Sequence, residues 1–309
     1  MTPGTRDANN GNWRTAARWA QMLRPRCRVI VQSEWRGERA DALIALHAFR
    51  SAASVAAFHA RGVGPIAVVL TGTDLYRDLP VKTEAQRSLD LASRLVVLHE
   101  RAMEPLRREW RVKCEVVFQS APFIAHRGAR EGTLRCVAVG HLRAEKDPLT
   151  LMNAIRLLPQ DLPVRIRHIG APLDASLGRA ARALAREDPR YRYLEALPHG
   201  ITRASIASSD VLIHPSIMEG GANVVVEAVT SGGAVVASRI DGNVGMLGQA
   251  YPGYFDAKDA EALAALLVRC ADERTFLRSL QAACRKRRAL FHPRNERRAV
   301  QNLVAEMLA

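Results

Sequence analysis

A segment in the second half of the sequence combines a turn, two glycines and two carboxylates in an order that suits a nucleotide diphosphate. Residues 213–228 run from an apolar strand pattern through Pro215, Ser216 and a Gly-Gly pair into an apolar helix pattern. Glycines at a helix start allow close approach to the backbone, and the first amides of a helix are unpaired donors at its positive end. The carboxylate of Glu227, inside that helix, can accept hydrogen bonds from ribose hydroxyls, while Glu219 lies in the turn, nearer a reacting sugar.

A purely structural explanation of this segment also exists. Two glutamates eight residues apart are unremarkable in a chain with 31 acidic residues, and a Gly-Gly turn after a strand is often a plain connection. The combination of a strand, a Pro-Ser turn, Glu-Gly-Gly and a second glutamate in an apolar helix is much rarer, and it favours a nucleotide site.

The surrounding sequence alternates short apolar runs with longer helical patterns. Strands are expected at residues 27–31, 42–46, 66–70, 95–98, 114–118, 134–139, 164–169, 211–214 and 234–237, and helices at residues 14–23, 50–59, 83–92, 149–158 and 176–186. Many of the strand patterns are continuously apolar, which is typical of strands covered on both faces. The pattern predicts the α/β class, with doubly wound parallel sheets.

The length of 309 residues predicts two domains. The periodicity breaks at residues 121–132, so we expect one Rossmann-like domain over residues 1–125 and a second over residues 126–309. Ligands of doubly wound sheets bind outside the carboxyl ends of the strands, which places the active site in a cleft that the two domains face. The first strand is expected to be missing or truncated, or the start site to be set too late.

The charge balance suggests several classes of partner. Basic residues outnumber acidic ones by 45 to 31, for a formal net charge of +14. This excess suits a nucleic-acid binder, a membrane-surface protein or an enzyme of phosphate-bearing substrates, and a general preference for arginine explains it too. The five cysteines are dispersed and lack metal-site spacing, and their odd number argues against a disulfide framework. Without a membrane-length apolar run or a signal-peptide pattern, we expect a cytoplasmic protein with no membrane partner.

Two motifs resemble those of glycosyltransferase family 4, whose members have the two-domain GT-B fold and use nucleotide-sugar donors. Residues 219–227 resemble the family's E-x7-E motif, and V-G-H-L-R-A-E-K-D (139–147) resembles its G-R-L-x-x-E-K-G loop. The resemblance implies that Lys146 holds the donor diphosphate and stabilises the charge on the leaving group. His141 stands where the family has arginine, and Arg143 is the candidate to supply that charge.

The same resemblance implies two further features. The loop that contains Leu197 is expected to meet the base of the donor nucleotide. The terminal helix, about residues 290–309, is expected to pack back on the first domain.

Three phrases in the first half narrow the resemblance. G-N-W-R-T-A (11–16), A-L-H-A-F-R-S (45–51) and L-T-G-T-D-L-Y-R-D (70–78) resemble the selenosugar synthases of selenoneine biosynthesis, a glycosyltransferase-like family, and the resemblance covers nearly the whole chain. It implies that a C–Se bond forms between a UDP-sugar, expected to be UDP-N-acetylglucosamine, and selenophosphate, with release of UDP and phosphate. No metal or other cofactor is expected. Functional neighbours would be a selenophosphate synthetase and an ergothioneine-synthase-like enzyme.

These motifs define three groups of candidate site residues. The catalytic candidates are Lys146, Glu219, His47 and Asp74. The donor-binding candidates are Gly140, His141, Arg143, Lys146, Leu197, Glu219, Gly220, Gly221, Ala222, Asn223 and Glu227. The acceptor-binding candidates, for selenophosphate, are Gly11, Asn12, Arg14, Thr71, Gly72, Thr73 and Arg77. A glycine between two threonines suits an anion-binding nest, although threonine and aspartate there equally suit a helix cap.

Two rival functions stay open at this point. An ordinary family 4 glycosyltransferase would transfer its sugar to a hydroxyl acceptor, and the second-domain motifs fit it equally well. A basic nucleic-acid-binding protein would explain the charge and the run of basic residues at 285–288, but no aromatic-rich RNA motif or zinc finger accompanies that run.

Overall fold

The computed structural model describes residues 1–4, 11–126 and 132–309. The contacts among these residues define two compact units. The first unit comprises Met1–Ser120, Glu219–Ala222 and Phe291–Ala309, and the second comprises Ala121–Met218 and Asn223–Leu290. Residues 127–131 of the predicted break lie outside the described residues, as do residues 5–10, and the domain boundary at residue 126 stays a prediction.

Strands and helices alternate along the chain, which confirms the predicted α/β class. The strands are β1 Leu43–Leu46, β2 Ile66–Val69, β3 Arg94–Val97, β4 Cys114–Val116, β5 Leu134–Val139, β6 Val164–Ile169, β7 Tyr191–Tyr193, β8 Val211–His214, β9 Ala234–Ser238 and β10 Tyr254–Phe255. The helices are α1 Gly11–Leu23, α2 Ala52–Ala60, α3 Thr83–Leu91, α4 Arg108–Arg111, α5 Pro148–Leu157, α6 Ala175–Glu187, α7 His199–Ala207, α8 Asn223–Ser231, α9 Asp241–Leu247, α10 Ala260–Asp272, α11 Arg274–Arg287 and α12 Pro293–Leu308.

The first unit is built on a parallel sheet with the strand order β1-β2-β3-β4. Side chains alternate between the two faces of a strand, so Leu95 of β3 enters one apolar core and Val96 enters another. The first core contains Phe58 of α2, and the second contains Trp19 of α1 and Leu303 of α12. Both faces of the sheet are therefore covered, as the continuous apolar strand patterns predicted.

Residues 27–31, predicted as a strand, form no strand, and that prediction is wrong. Met1 occupies the outer edge of β1: its amino group donates to the carbonyl of Ile44 (2.7 Å), and its carbonyl accepts from the amide of Leu46 (3.1 Å). A further strand could pair with β1 only through these backbone groups. The amide of Thr2 donates to the carbonyl of Gln32 (3.0 Å), so the end of this segment meets the first residues of the chain and not β1 itself.

The second unit contains a parallel sheet with the strand order β10-β9-β8-β5-β6-β7. From β5 the chain moves outward through β6 and β7, then returns to the other side of β5 and continues through β8, β9 and β10. The order therefore reverses between β5 and β8. Ligands of open α/β sheets bind outside the carboxyl ends of the strands at such a reversal, so the sheet points to the loops after β5 and β8.

Two further features concern the cysteines and the length of the helices. All five cysteines are free, and burial raises the pKa of Cys114 and of Cys270 to about 12, which makes these thiols poor nucleophiles. Across residues 1–4, 11–126 and 132–309, none of the helices has both the length and the apolar character needed to cross a membrane.

A buried carboxylate fixes the last helix within the first unit. Glu296 of α12 is 1% exposed and accepts hydrogen bonds from Arg18 Nε (2.8 Å) and Trp19 Nε1 (2.8 Å), both on α1. It also accepts from the amide (2.9 Å) and the hydroxyl (2.5 Å) of Ser120. A charge is tolerated in a core only when it is paired and hydrogen-bonded, and these donors meet that condition. Glu296 thus joins α12 to α1 and to the end of the segment Met1–Ser120.

We expect Glu296→Ala to lower the free energy of unfolding by about 3–5 kcal/mol, because Arg18 loses its ion pair and buried donors lose their acceptor. Urea denaturation followed by circular dichroism measures this loss. Glu306→Ala, on the same helix, is the matched control: its side chain is 61% exposed and lies 3.8 Å from Arg94 Nε, so the loss should stay within about 1 kcal/mol. Equal losses in the two variants would contradict the role given to Glu296.

Candidate functional site

The loops that follow β5 and β8 meet where the strand order reverses. The amide of Ile217, after β8, donates to the carbonyl of Glu145, after β5, at 3.0 Å. A small pocket lies at the carboxyl ends of these strands, and its walls include Gly140, Lys146 and Ser216. The loops after β5 and β8, which lead into the two predicted donor motifs, are therefore neighbours. They lie where ligands bind in doubly wound sheets.

Lys146 is held beside the end of β5 by the way its loop enters α5. Asp147 caps this helix, because its carboxylate accepts from the hydroxyl (2.6 Å) and the amide (3.4 Å) of Thr150, and Pro148 takes the first helical position. A Cβ at Gly140 would lie 3.4 Å from Cγ and Cδ of Lys146, so the lysine stem packs over a residue without a side chain. The lysine therefore lines the pocket with its stem fixed, and its charge suits an anionic ligand.

Two neighbours of Lys146 differ in how they are held. His141 Nδ1 accepts from the amide of Ala171 at 3.0 Å, which ties the loop after β5 to the loop after β6. Since Nδ1 accepts, Nε2 carries the proton of the neutral ring. The Arg143 side chain is 42% exposed, and its Nε lies 3.9 Å from Oε2 of Glu145. His141, at the position where the family has arginine, thus helps to fix the conformation of the loop after β5. Arg143 forms only a long ion pair, with Glu145.

A neutral histidine lines the same pocket. His168 of β6 is buried, and its Nδ1 lies 2.8 Å from the hydroxyl of Tyr191 on β7. Burial lowers the pKa of His168 to about 4 and raises the pKa of Tyr191 above its ordinary value. At neutral pH the tyrosine therefore donates its proton to an uncharged imidazole. Among these pocket residues, Lys146 supplies the positive charge and His168 does not.

Glu227 of α8 is nearly buried and contacts two side chains of α7. His199 Nε2 lies 2.7 Å from Oε1 of Glu227, and Arg203 Nε lies 3.9 Å from the same oxygen. Leu197 lies two residues before α7, and Asn223 is the first residue of α8. The packing of α7 on α8 therefore places His199 against Glu227, the residue predicted to contact the ribose. His199 itself was not among the predicted donor-binding residues.

In the first unit, the carboxylate of Asp74 organises the loop after β2. Oδ1 accepts from the amides of Thr71 (2.8 Å) and Gly72 (2.9 Å), and Oδ2 accepts from the amide of Ala48 (2.9 Å), after β1. The amides of Thr71 and Gly72 were predicted to bind an anion, and the anion that they hold here is the protein's own carboxylate. This geometry favours a loop-holding role for Asp74 over the catalytic role predicted from the sequence.

His47 ends β1 in a conformation that residues with a side chain rarely adopt. Its φ is +72°, and it is 1% exposed. Nδ1 accepts from the amide of Arg50 (3.3 Å), so Nε2 carries the proton, 3.1 Å from Thr73 Oγ1 and 3.7 Å from Asp78 Oδ2. Burial lowers the pKa of His47, although the charge of Asp74 partly offsets it. The neutral ring therefore donates to Thr73, which leaves the hydroxyl proton of Thr73 for another acceptor.

The other acceptor candidates lie at two places in the first unit. Gly11, Asn12 and Arg14 are in the first turn of α1, where Gly11 is exposed and the other two are half-buried. Arg77 lies in a π-helical turn that follows the loop after β2, and its Nε donates to Oδ1 of Asp78 at 2.9 Å. Arg77 therefore pairs with the carboxylate whose second oxygen faces His47.

The segment Glu219–Ala222 groups with the first unit. A Cβ at Gly220 would lie 2.4 Å from the amide nitrogen of Gly72, and a Cβ at Gly221, where φ is +152°, would lie 2.7 Å from Leu98 Cβ. Only glycine fits at these two positions, because the protein's own chain approaches them closely. Diphosphate binding by the amides of this segment stays a prediction.

Three side chains at these loops were not predicted as site residues. Asp78 faces His47, as described above. His99, which follows β3, is fully buried, and its Nε2 lies 3.4 Å from the hydroxyl of Tyr76. His199 contacts Glu227. The position of His99 just after a parallel strand was a usable signal, whereas the contact of His199 depends on how α7 packs on α8.

Comparison with known protein families gives a match in the second half of the chain. Residues 133–273 match the family model described as glycosyl transferases group 1, which is somewhat less than half of the chain. The matched region contains β5 to β10 and both donor motifs. No curated protein sequence matches the chain significantly.

Solved structures show where the whole fold belongs. The chain is similar to a sucrose-phosphate synthase from Thermosynechococcus elongatus, with 17% identity, a TM-score of 0.71 and coverage of 86% of this chain and 73% of that chain. It is also similar to the HepE protein of Anabaena in complex with UDP-glucose, with 16% identity, a TM-score of 0.69 and coverage of 86% and 79%. At these identities the likeness concerns the fold, which is the expected GT-B fold with two Rossmann-like units. The resemblance to glycosyl transferases rests on the family match over residues 133–273.

We expect Asp74→Ala to lower the free energy of unfolding by about 3 kcal/mol or more, because buried amides lose their acceptor. Asp41→Ala, at an exposed position of the same unit, should change it by less than about 0.5 kcal/mol. Urea denaturation measures both values. An Asp74→Ala protein that keeps its stability but loses turnover would instead support the catalytic role.

The pKa of His168 also predicts a pH dependence of stability. The ordinary pKa of 6.5 applies to the unfolded chain and a pKa of about 4 to the folded protein. Stability is therefore fully present above pH 6.5 and is lost as the pH falls toward 4, by about 2 kcal/mol from this group at pH 5. Urea denaturation at pH 7 and pH 5 measures the loss.

His168→Asn keeps an oxygen that can accept from Tyr191, and it should remove this share of the pH dependence. His59→Asn, at an exposed position on α2, is the control and should leave the dependence unchanged. A wild-type pH dependence in His168→Asn would show that the buried ring is not the group that titrates.

Proposed function

We propose that this protein is a selenosugar synthase, in which the second unit binds a UDP-sugar and the first unit binds selenophosphate. The observation that carries the proposal is the meeting of the two motif loops, joined by Ile217 and Glu145, beside Lys146 at the strand reversal. The family match over residues 133–273 supports a sugar-transfer reaction. HepE, which has a similar fold, is a protein whose structure was solved with UDP-glucose.

The donor is held by residues of different chemistry. Lys146 supplies a fixed positive charge that stabilises the diphosphate as it leaves, which is worth most where water is excluded. Glu227 accepts from ribose hydroxyls through Oε2, since Oε1 already contacts His199. Arg143, whose side chain is partly exposed, adds charge at the same loop.

The acceptor is already an anion, and the first unit is suited to such a nucleophile. A hydroxyl acceptor needs a base, and in the loops after β1 and β2 the candidates for that base are His47 and Asp74. His47 carries its proton on Nε2, and both oxygens of Asp74 accept backbone amides. Selenophosphate needs no base. The hydroxyl of Thr73 and the guanidinium groups of Arg14 and Arg77 are the groups that hold its oxygens.

The proposed reaction has two steps, formation of the carbon–selenium bond and cleavage of the phosphorus–selenium bond. Selenium forms a bond to the anomeric carbon of UDP-N-acetylglucosamine while the bond from that carbon to the UDP oxygen breaks, and UDP leaves with the electron pair. Water then cleaves the P–Se bond, which releases phosphate and the selenosugar. The chain's residues bind and orient the two anions, and His47 positions water for the second step.

A second candidate is transfer of the sugar to a hydroxyl acceptor. The fold likeness favours it, because the chain is also similar to the pneumococcal O-GlcNAc transferase GtfA, solved with UDP and GlcNAc. That likeness has 17% identity and a TM-score of 0.66, and it covers 79% of this chain and 53% of that chain. Glu219, half-buried in its loop, would then be the first candidate for the base.

The two candidates differ in what triggers UDP release. We expect the protein to release UDP from UDP-N-acetylglucosamine when selenophosphate is added, and to yield phosphate and a selenium-bearing sugar by mass spectrometry. Thiophosphate, which has the same charge as selenophosphate but a less polarisable nucleophilic atom, serves as a second probe and should release UDP more slowly. Release of UDP only with a sugar or glycerol acceptor would reject the selenosugar proposal in favour of the second candidate.

Lys146→Ala should lower kcat by about 10²–10³, because it removes a fixed charge from the leaving group. Lys146→Arg keeps the charge and should recover part of the rate. Lys286→Ala, at an exposed position on α11, is the matched control and should leave kcat unchanged. A Lys146→Ala protein with wild-type turnover would overturn the donor site.

A further inference from the structure

His199 forms a hydrogen bond with Glu227 that the packing of the apolar core does not explain. The two residues are 28 positions apart, and Nε2 lies 2.7 Å from Oε1. The glutamate side chain is 9% exposed, whereas the histidine side chain is 42% exposed. A nearly buried carboxylate therefore takes its hydrogen bond from a ring that solvent reaches. Because such a ring buries little apolar surface, the contact must act mainly through the carboxylate.

The two oxygens of Glu227 differ in their surroundings. Oε1 faces both His199 and the guanidinium of Arg203, whose Nε is 3.9 Å away. Arg203 is itself held, because its Nη2 donates to the carbonyl of Pro122 at 2.6 Å. Within the described ranges, Oε2 has no hydrogen-bond partner. It is also not among the side-chain atoms that are buried without a partner, so it is accessible to solvent. One oxygen is thus fixed by the protein, and the other is open to a ligand.

The hydrogen bond to Oε1 of Glu227 restricts the side chain and thereby positions Oε2. A glutamate side chain rotates about several bonds, and an acceptor for a ribose hydroxyl must occupy one arrangement. A hydrogen bond to Oε1 restricts these rotations before a ligand arrives, so less entropy is lost on binding. The same bond leaves the lone pairs of Oε2 available.

We propose that His199 is a positioning residue for nucleotide recognition, which orients Glu227 so that Oε2 accepts from ribose hydroxyls. His199 thereby makes the second unit prefer ribonucleotides over nucleotides that lack those hydroxyls. The inference rests on the proposed function, since it requires Glu227 to contact the ribose of the donor. His199 itself acts through the carboxylate and needs no contact with the ligand.

Isothermal titration of the full chain with UDP and with 2′,3′-dideoxy-UDP tests the proposal. The wild-type protein should bind UDP about tenfold more tightly than the dideoxy nucleotide, the effect of a hydrogen bond to a charged group. His199→Ala should lose most of this preference, mainly through weaker binding of UDP. His199→Gln, whose side-chain amide can donate from a similar distance, should retain most of it.

The controls separate positioning from structure and from the proposed function. His59→Ala, at an exposed position on α2, should leave both affinities unchanged, and thermal unfolding should show His199→Ala to be folded. A wild-type preference in His199→Ala, or an equal loss of affinity for both nucleotides, overturns the proposal. If the wild-type protein does not bind UDP, or if Glu227→Gln keeps the full preference, the proposed ribose contact itself fails instead.

Discussion

One backbone hydrogen bond, from the amide of Ile217 to the carbonyl of Glu145, joins the two loops on which the candidate donor site is built. It is possible because β5 and β8 are neighbours in the sheet although β6 and β7 come between them along the chain. Parallel strands end at the same edge, so the loops after these two strands must meet there. Lys146, with its stem against Gly140, takes its place from this meeting. Sheet order, more than any single side chain, therefore decides where an anion can bind in this unit.

Buried carboxylates play a larger part in this basic chain than its charge suggests. The net charge of +14 comes from an excess of arginine, yet two of the groups that hold elements of the first unit together are acids. Glu296 joins α12 to α1, and Asp74 joins the loops after β1 and β2. In each case one carboxylate accepts from several donors, which an arginine cannot do for a backbone amide because its guanidinium has no acceptor atom.

The sequence predicted the parts of the fold that depend on local pattern and missed those that depend on packing. Strands such as β5 and β8, with continuous apolar runs, were predicted correctly because burial on both faces leaves a clear composition. The run at residues 27–31 has the same composition but no strand, since Met1 occupies the edge of β1. Strands β7 and β10, of three and two residues, are too short to show a period. Likewise, Asp74 was predicted as a site residue, but only the structure shows that its oxygens accept amides.

The protonation of the first-unit side chains bears on which nucleophile the protein can use. The tautomer of His47 is set by the backbone, because the amide of Arg50 donates to Nδ1 and leaves the proton on Nε2. A ring in that state is a hydrogen-bond donor toward the loop of Thr73, and it cannot take a proton there. The strained conformation of His47, with φ at +72°, is thus maintained for a ring that donates. A nucleophile that arrives already ionised suits this arrangement, whereas a hydroxyl would have to find its base elsewhere in the chain.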